Sequence, residues 1–426
     1  MRHILAVIAS ILILAVPWLM YHPDQAQYLF SRIQTVEDQL AAAVISHMPK
    51  TVLEIKSRYA SQEKRGIFAT AGYEKKVKIL LVPGHEPDYG GAEYGMIKER
   101  DLVVELAQNL ENFLAQNERY QVFVSRDRTS WKPVFADYFK NGWDDIVAWE
   151  KLHKEEVTKL TRLGEFHPAT PIVQHNKARS DVAFRLFGMG KWANENDVDI
   201  IIHIHFNDYP GHGNAPGRYS GFAIYVPEKA YFNSTTTKAL ADTVFKRLSK
   251  YNPVSDLPGE SNGIVEDQDL IAVGAHNSVN AASMLIEYGY IYEPQFTNSN
   301  LRDAAIRDLA FQTYLGLQDF FDDHNAVGLN GSFDTLIMPH YWRNPLVEGD
   351  KNNADVYALQ TALLMEGEYP PPGKTLNDCP RTGWLGNCTK TALESFQKKK
   401  GIKGEAGVIG KRTREELNKL YSVKTI

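Results

Sequence analysis

Residues 4–20, ILAVIASILILAVPWLM, form an uncharged apolar run behind Arg2 and His3. This is the short end of the roughly 20 apolar residues that span a bilayer. The run outlasts the apolar stretch of about 7 to 15 residues in a secretory signal peptide. Tyr21-His22-Pro23-Asp24 supplies no small-x-small cleavage site. An uncleaved N-terminal transmembrane helix over 1–21 is therefore expected, with secretion after signal cleavage as the alternative. Arg2 on the short side predicts a cytoplasmic amino terminus and a body on the outer face, anchored in the cytoplasmic membrane. Leu29, Ile33, Val36 and Leu40 then recur at helical spacing. Pro49 interrupts them and a polar stretch follows at 61–66, so residues 22–75 read as a helical stalk and linker.

From residue 76 short apolar runs alternate with amphipathic stretches, the pattern of an α/β sheet with parallel neighbours. Strands are predicted at 77–82, ending in Pro83-Gly84-His85, and at 121–124, 198–205, 222–226 and 282–286, the last running into Glu287. Glu99-Arg100-Asp101 opens a helix with acidic residues in its first turn and an apolar face of Val103, Leu106, Leu110, Phe113 and Leu114. Another helix is predicted over 183–193. The fold class is α/β, an open and mostly parallel sheet with helices on both faces.

Composition distributes these parts. At 426 residues, with 43% hydrophobic and 23% charged residues, two or three folded units are expected and wholesale disorder is excluded. A net charge of -5 argues against a surface built to grip nucleic acid. The average hides an asymmetry, because residues 351–426 hold 13 basic and 8 acidic side chains. Cys379 and Cys388, the two cysteines, both lie in that basic tail and can close one local loop in an oxidising compartment.

His85, His205 and Glu287 each fall at the carboxyl end of a predicted strand, where open α/β sheets place ligands. Glu99 starts a helix facing the same rim. Two imidazoles and a carboxylate are a catalytic zinc set with an open fourth position, and a further carboxylate can move protons. Taken singly, each has a plain reading: a hydrogen-bonded strand-end histidine, a helix-start charge, a solvated acid.

The segments ILLVPGHEPDYGGAEYGMIKERD, VFVSRD, WANENDVDIIIHIHFND and SMLIEYGYI, within residues 77–321, resemble in order the motifs of the zinc-dependent N-acetylmuramoyl-L-alanine amidases. The resemblance implies a catalytic domain over 76–325 that hydrolyses the amide between N-acetylmuramic acid and L-alanine in peptidoglycan. It implies one zinc ion held by His85, Glu99 and His205, with Glu287 as general acid/base and Asn207 at the edge of the site. Two positions depart from the family. Glu86 stands where glycine is common, adding a carboxylate beside the metal loop. His203 stands where serine is common; on a strand it shares a face with His205, as a supporting partner or a competing ligand. Residues 129–177 are an insertion rich in aromatics, among them Trp131, Phe135, Tyr138, Phe139, Trp143 and Trp149. It reads as a lid, a sugar-stacking surface or a small core of its own.

Beyond a linker at 326–350, residues 351–422 resemble a small three-helix peptidoglycan-binding domain. The resemblance rests on VYALQTALLMEGEY, GWLGNCTKTALESFQKKKGI and GVIGKRTREEL. The repeated Gly383/Gly386/Thr389 and Gly407/Gly410/Thr413 spacing reads as a turn followed by a helix amino cap. The expected partners are peptidoglycan and the cytoplasmic membrane; no motif names a regulatory protein. Competing readings are a non-catalytic wall binder with a decayed site, and a zinc peptidase cutting within the stem peptide.

Overall fold

A computed structural model describes residues 48–61, 76–322 except 174, 176 and 210, and 333–423. The predicted membrane helix and the 29–40 stripe lie outside the described residues. Among the described residues no helix is long and apolar enough to cross a membrane.

The first described helix, α1 (Val52–Ser61), falls in the stretch expected to be stalk and linker. Its Ile55 and Tyr59 are nevertheless buried in the main core. Arg58 fixes the helix to the body by pairing with Asp197 and with the fully buried Asp199.

The sheet comprises β1 (Val77–Pro83), β4 (Tyr120–Val124), β5 (Ile200–Asn207), β6 (Ala223–Pro227), β7 (Ile264–Asp267) and β8 (Ala282–Tyr290), in the order β4-β1-β5-β8-β6-β7. Its first four members run parallel, β6 enters antiparallel to β8, and β7 closes the edge parallel to β6. A two-stranded hairpin, β2 (Glu93–Tyr94) and β3 (Ile97–Lys98), stands apart. β8 runs through Glu287 to Tyr290, so that glutamate lies within the strand. The continuation is favoured because Tyr288 and Tyr290 are buried.

A parallel sheet needs cover on both faces. On one face Val77, Ile79, Leu81, Ile202, Ile204, Met284 and Ile286 pack under α2 (Glu99–Leu114), α6 (Ser234–Tyr251) and α7 (Ser299–Phe320). On the other, Leu80, Val82 and Ile201 pack under α3 (Pro133–Asn141), α4 (Trp143–Leu163) and α5 (Ser180–Glu195). The 129–177 insertion is therefore part of the second layer. Phe135 and Phe139 are buried in it, and Trp131, Tyr138 and Trp149 pack against it.

Three helices, α8 (Ala354–Met365), α9 (Asn387–Lys399) and α10 (Lys411–Tyr421), form a second core that also takes in Met338, Trp342 and Leu346. Two turns are built alike. Gln360 accepts from the Thr382 and Gly383 N–H groups and donates to Thr389 Oγ1 at 2.9 Å. Gln397 accepts from the Gly407 N–H and donates to Thr413 Oγ1 at 2.9 Å. The predicted threonine caps are corrected here: Gly386 and Gly410 occupy the cap positions. The Thr389 hydroxyl instead turns back to the Trp384 carbonyl, because the buried glutamine amide already fixes it.

Cys379 and Cys388 are disulfide-bonded. The loop they close carries Arg381, which is 4% exposed and reaches out of the helical module. It donates to the Tyr251 carbonyl at 2.8 Å, lies between the Tyr251 and Tyr357 rings and approaches Asp308 at 3.7 Å. Breaking a buried ion pair from one side costs about 3 kcal/mol or more. Arg381→Ala should lose about that much stability in urea melts and make the 333–423 segment separable by limited proteolysis, whereas Lys374→Ala should do neither.

Candidate metal centre

The site is assembled where the second sheet face meets the carboxyl ends of the strands. β5 and β8 lie side by side with His205 opposite Glu287 and His203 opposite Leu285. Period-2 alternation sends His205 and Glu287 to the same face. Glu99 arrives from the first turn of α2. Its backbone N–H donates to the Ala92 carbonyl, while its Oε2 accepts from the Ala92 N–H at 2.8 Å. Oε1 accepts from the Phe206 N–H at 3.0 Å and stands 3.1 Å from His205 Nδ1.

His85 comes from the loop after β1 and completes the group. Its Nε2 lies 2.8 Å from Glu99 Oε1 but off the line of a hydrogen bond, leaving that buried nitrogen unpartnered. A buried ligand nitrogen left unpartnered beside a carboxylate oxygen is the arrangement of ligands aimed at a common ion. The ligand atoms of His85, Glu99 and His205 all fall within 4.8 Å of one another. Close approach dictates glycine nearby. A Cβ on Gly84 would meet His205 Cε1 at 2.3 Å; one on Gly91, at φ +83°, would meet His85 Cδ2 at 2.9 Å.

The other predicted residues are placed as follows. His203 is 4% exposed, one side-chain step down the face from His205, with its Nδ1 unpartnered. Glu86 is buried but has both oxygens engaged, Oε1 by Arg185 Nε at 2.8 Å and Oε2 by Trp131 Nε1 at 3.2 Å. Asn207 turns its amide inward, accepting from the Asp208 N–H and donating to Glu260 Oε1 at 3.0 Å.

Three contributors escaped the sequence reading. Glu260 comes from a loop and accepts from Tyr225, Ser255 and Asn207. Arg126, within the VFVSRD segment, holds the Pro83 and Gly84 carbonyls and is 1% exposed. Arg185 reaches Glu86 across 99 residues of chain. No local signal marks the Glu260 or Arg185 contacts; only Glu86 in a glycine position hints at the second.

Electrostatics separates the two carboxylates. Burial pushes Glu99 up, but His85 and His205 outweigh it and hold the group well below the usual range. At Glu287, burial, reinforced by the charges of Glu99 and Glu260, pushes the proton affinity well up. Burial takes His203 down to about 3 and lowers His205 as well, so both imidazoles are neutral near pH 7, the form that ligates a metal.

The chain matches the family Amidase_3, N-acetylmuramoyl-L-alanine amidase, over residues 79–319. No curated protein sequence matches it. Among solved structures it is similar to an N-acetylmuramoyl-L-alanine amidase from Clostridium difficile 630, at 20% identity and a TM-score of 0.36, covering 58% of this chain and 98% of that one. It is similar to the CwlD amidase of Clostridioides difficile, determined in complex with the GerS lipoprotein, at 15% identity and a TM-score of 0.39, covering 58% and 99%. A third is the amidase Ami1 of Mycobacterium smegmatis, at 14% identity and a TM-score of 0.39, covering 59% and 100%.

Adding one methyl group tests the packing around this centre. Gly84→Ala should displace the His205 ring and lower affinity for a divalent ion by about tenfold or more, the size of effect produced by disturbing a ligand's support. Equilibrium dialysis against the metal reads this, with circular dichroism confirming the fold.

Proposed function

Because the chain belongs to the Amidase_3 family of N-acetylmuramoyl-L-alanine amidases, hydrolases that cut N-acetylmuramic acid from L-alanine in peptidoglycan, we propose that it does so with one zinc ion held by His85, Glu99 and His205. The observation that carries the zinc assignment is the convergence of these three on one point, with His85 Nε2 unpartnered beside Glu99 Oε1. Two imidazoles and one carboxylate are a donor set of catalytic zinc. Zinc, when bound, lowers the pKa of water towards 7 and polarises an amide carbonyl.

Glu287 is then the proton carrier. It sits beside His205 in the paired strands, and its Oε2 has no partner. Its raised proton affinity suits a carboxylate that takes a proton from attacking water and returns it to the departing amine of L-alanine. Glu99 cannot serve, because its oxygens are held by the Ala92 and Phe206 N–H groups and faced by two imidazoles.

The same reading makes residues 351–422 a peptidoglycan-binding domain. Support comes from the net positive charge of this segment and from Trp384, 48% exposed with the Lys351 ammonium 4.9 Å from its ring. We further propose anchoring through residues 4–20 with the body on the outer face of the membrane, where peptidoglycan lies. The Cys379–Cys388 bond suits such an oxidising compartment.

Glu287→Gln keeps the shape and removes the proton carrier. It should retain zinc and lose roughly 10²-fold or more of the release of stem peptides beginning at L-alanine from purified peptidoglycan. Mass spectrometry of the products measures this, and undiminished release would remove Glu287 from its role. A chelator should abolish release by the unaltered protein, and added zinc should restore it.

A further inference from the structure

We infer that Glu86, Arg185 and Trp131 form a clamp that positions His85, so that the 129–177 insertion and α5 set the geometry of the metal loop. The inference rests on the zinc reading above.

The loop contains a residue under strain. His85 has φ 66°, in the left-handed region. For a residue with a Cβ this conformation is unfavourable and persists only where the surroundings over-determine it. Before His85, Arg126 fixes the chain through the Pro83 and Gly84 carbonyls. After it, Glu86 is 5% exposed and carries a donor on each carboxylate oxygen. Arg185 also donates to the Tyr89 hydroxyl at 3.0 Å and to Asp181 at 2.8 Å, while the Tyr89 hydroxyl donates to Asp181 at 2.6 Å. The Glu86 N–H donates to the Tyr89 carbonyl, closing the turn between the two held residues. His85 is thus fixed from both sides.

The clamp joins the second sheet layer to the site. Trp131 lies edge-on to Phe139 at 5.2 Å, inside the insertion's packing, and bridges to Arg126. Arg185 projects from α5, whose Phe187 and Trp192 are buried in the same layer. Glu86, with both oxygens occupied, is thereby withdrawn from competition for the ion. A glycine at this position would leave the turn pliable; the anchored carboxylate makes it rigid.

Among the described residues no hydrogen bond or ion pair joins Arg185 or Trp131 to a proposed ligand, so altering them leaves the ligand atoms chemically unchanged. Full-length protein in detergent, with Trp131→Phe, Arg185→Ala, Arg185→Lys and His85→Ala, is measured for zinc affinity by chelator competition. Visible absorption of the cobalt-substituted forms reports ligand geometry. Arg185→Ala and Trp131→Phe should each weaken zinc binding by about tenfold or more and alter the cobalt bands. Arg185→Lys, which restores the charge without the fork, should recover part of the loss. Zinc affinity within twofold of the unaltered protein in both variants, with unchanged cobalt bands, would overturn the clamp. If His85→Ala binds zinc as well as the unaltered protein, the ligand assignment itself fails, an outcome distinct from failure of the clamp alone.

Discussion

A carboxylate taken out of water must find its partners inside the protein, and Glu99, 3% exposed, organises the site through that requirement. One oxygen takes the Ala92 N–H, which pins the segment leading into the β2–β3 hairpin to the start of α2. The other takes the Phe206 N–H, which pins the same helix to the end of β5. That second oxygen is also the atom His85 and His205 approach. One side chain thus fixes the distances among a loop, a helix start and a strand end. Displacing any of them would leave a buried charge short of partners. The two histidines that lower its proton affinity are the groups with which it would share an ion.

The sheet adds a constraint of its own. Strand residues alternate faces, so placing His205 and Glu287 on one side fixes the side on which Ile201 and His203 lie as well. That face is covered by α3, α4 and α5, which makes the insertion a structural neighbour of the chemistry. Its aromatic residues face inward, and the most consequential of them, Trp131, spends its indole N–H on Glu86. The aromatic insertion is thus largely part of the second layer that a two-faced sheet requires.

What could be read from the chain follows from this physics. Strands buried on both faces appear as apolar runs, so β1, β5 and β8 were visible, together with the histidines and the glutamate they carry. Helix α2 was visible because its apolar stripe is clean and its first turn acidic. Helix α7 is buried around most of its circumference, which erases the stripe, and β7 is a four-residue edge. The hairpin strands are too short to show a period. Residues that act through long-range contacts left no trace: Arg185 meets Glu86 and Glu260 meets Asn207 only after folding. Thr389 and Thr413 sat where caps were expected, yet a buried glutamine in each repeat claims their hydroxyls.

Arg381 decides how the second core is carried. A guanidinium 4% exposed cannot be released into solvent without abandoning the Tyr251 carbonyl, the two tyrosine rings and the neighbourhood of Asp308. The disulfide holds its loop in the shape that makes this insertion possible, and Asn377 adds a hydrogen bond to the Val254 carbonyl, in the chain segment beside β6. The helical module is therefore docked on the sheet domain. For two sites joined by a flexible tether, the gain from binding together depends on tether length; for docked sites it depends on whether one ligand can meet both in a fixed geometry. On the proposed reading, a strand of wall polymer held by the module would meet the metal centre at a set distance and direction. The position of the cut along the polymer would then follow from the docking contacts as much as from the site itself.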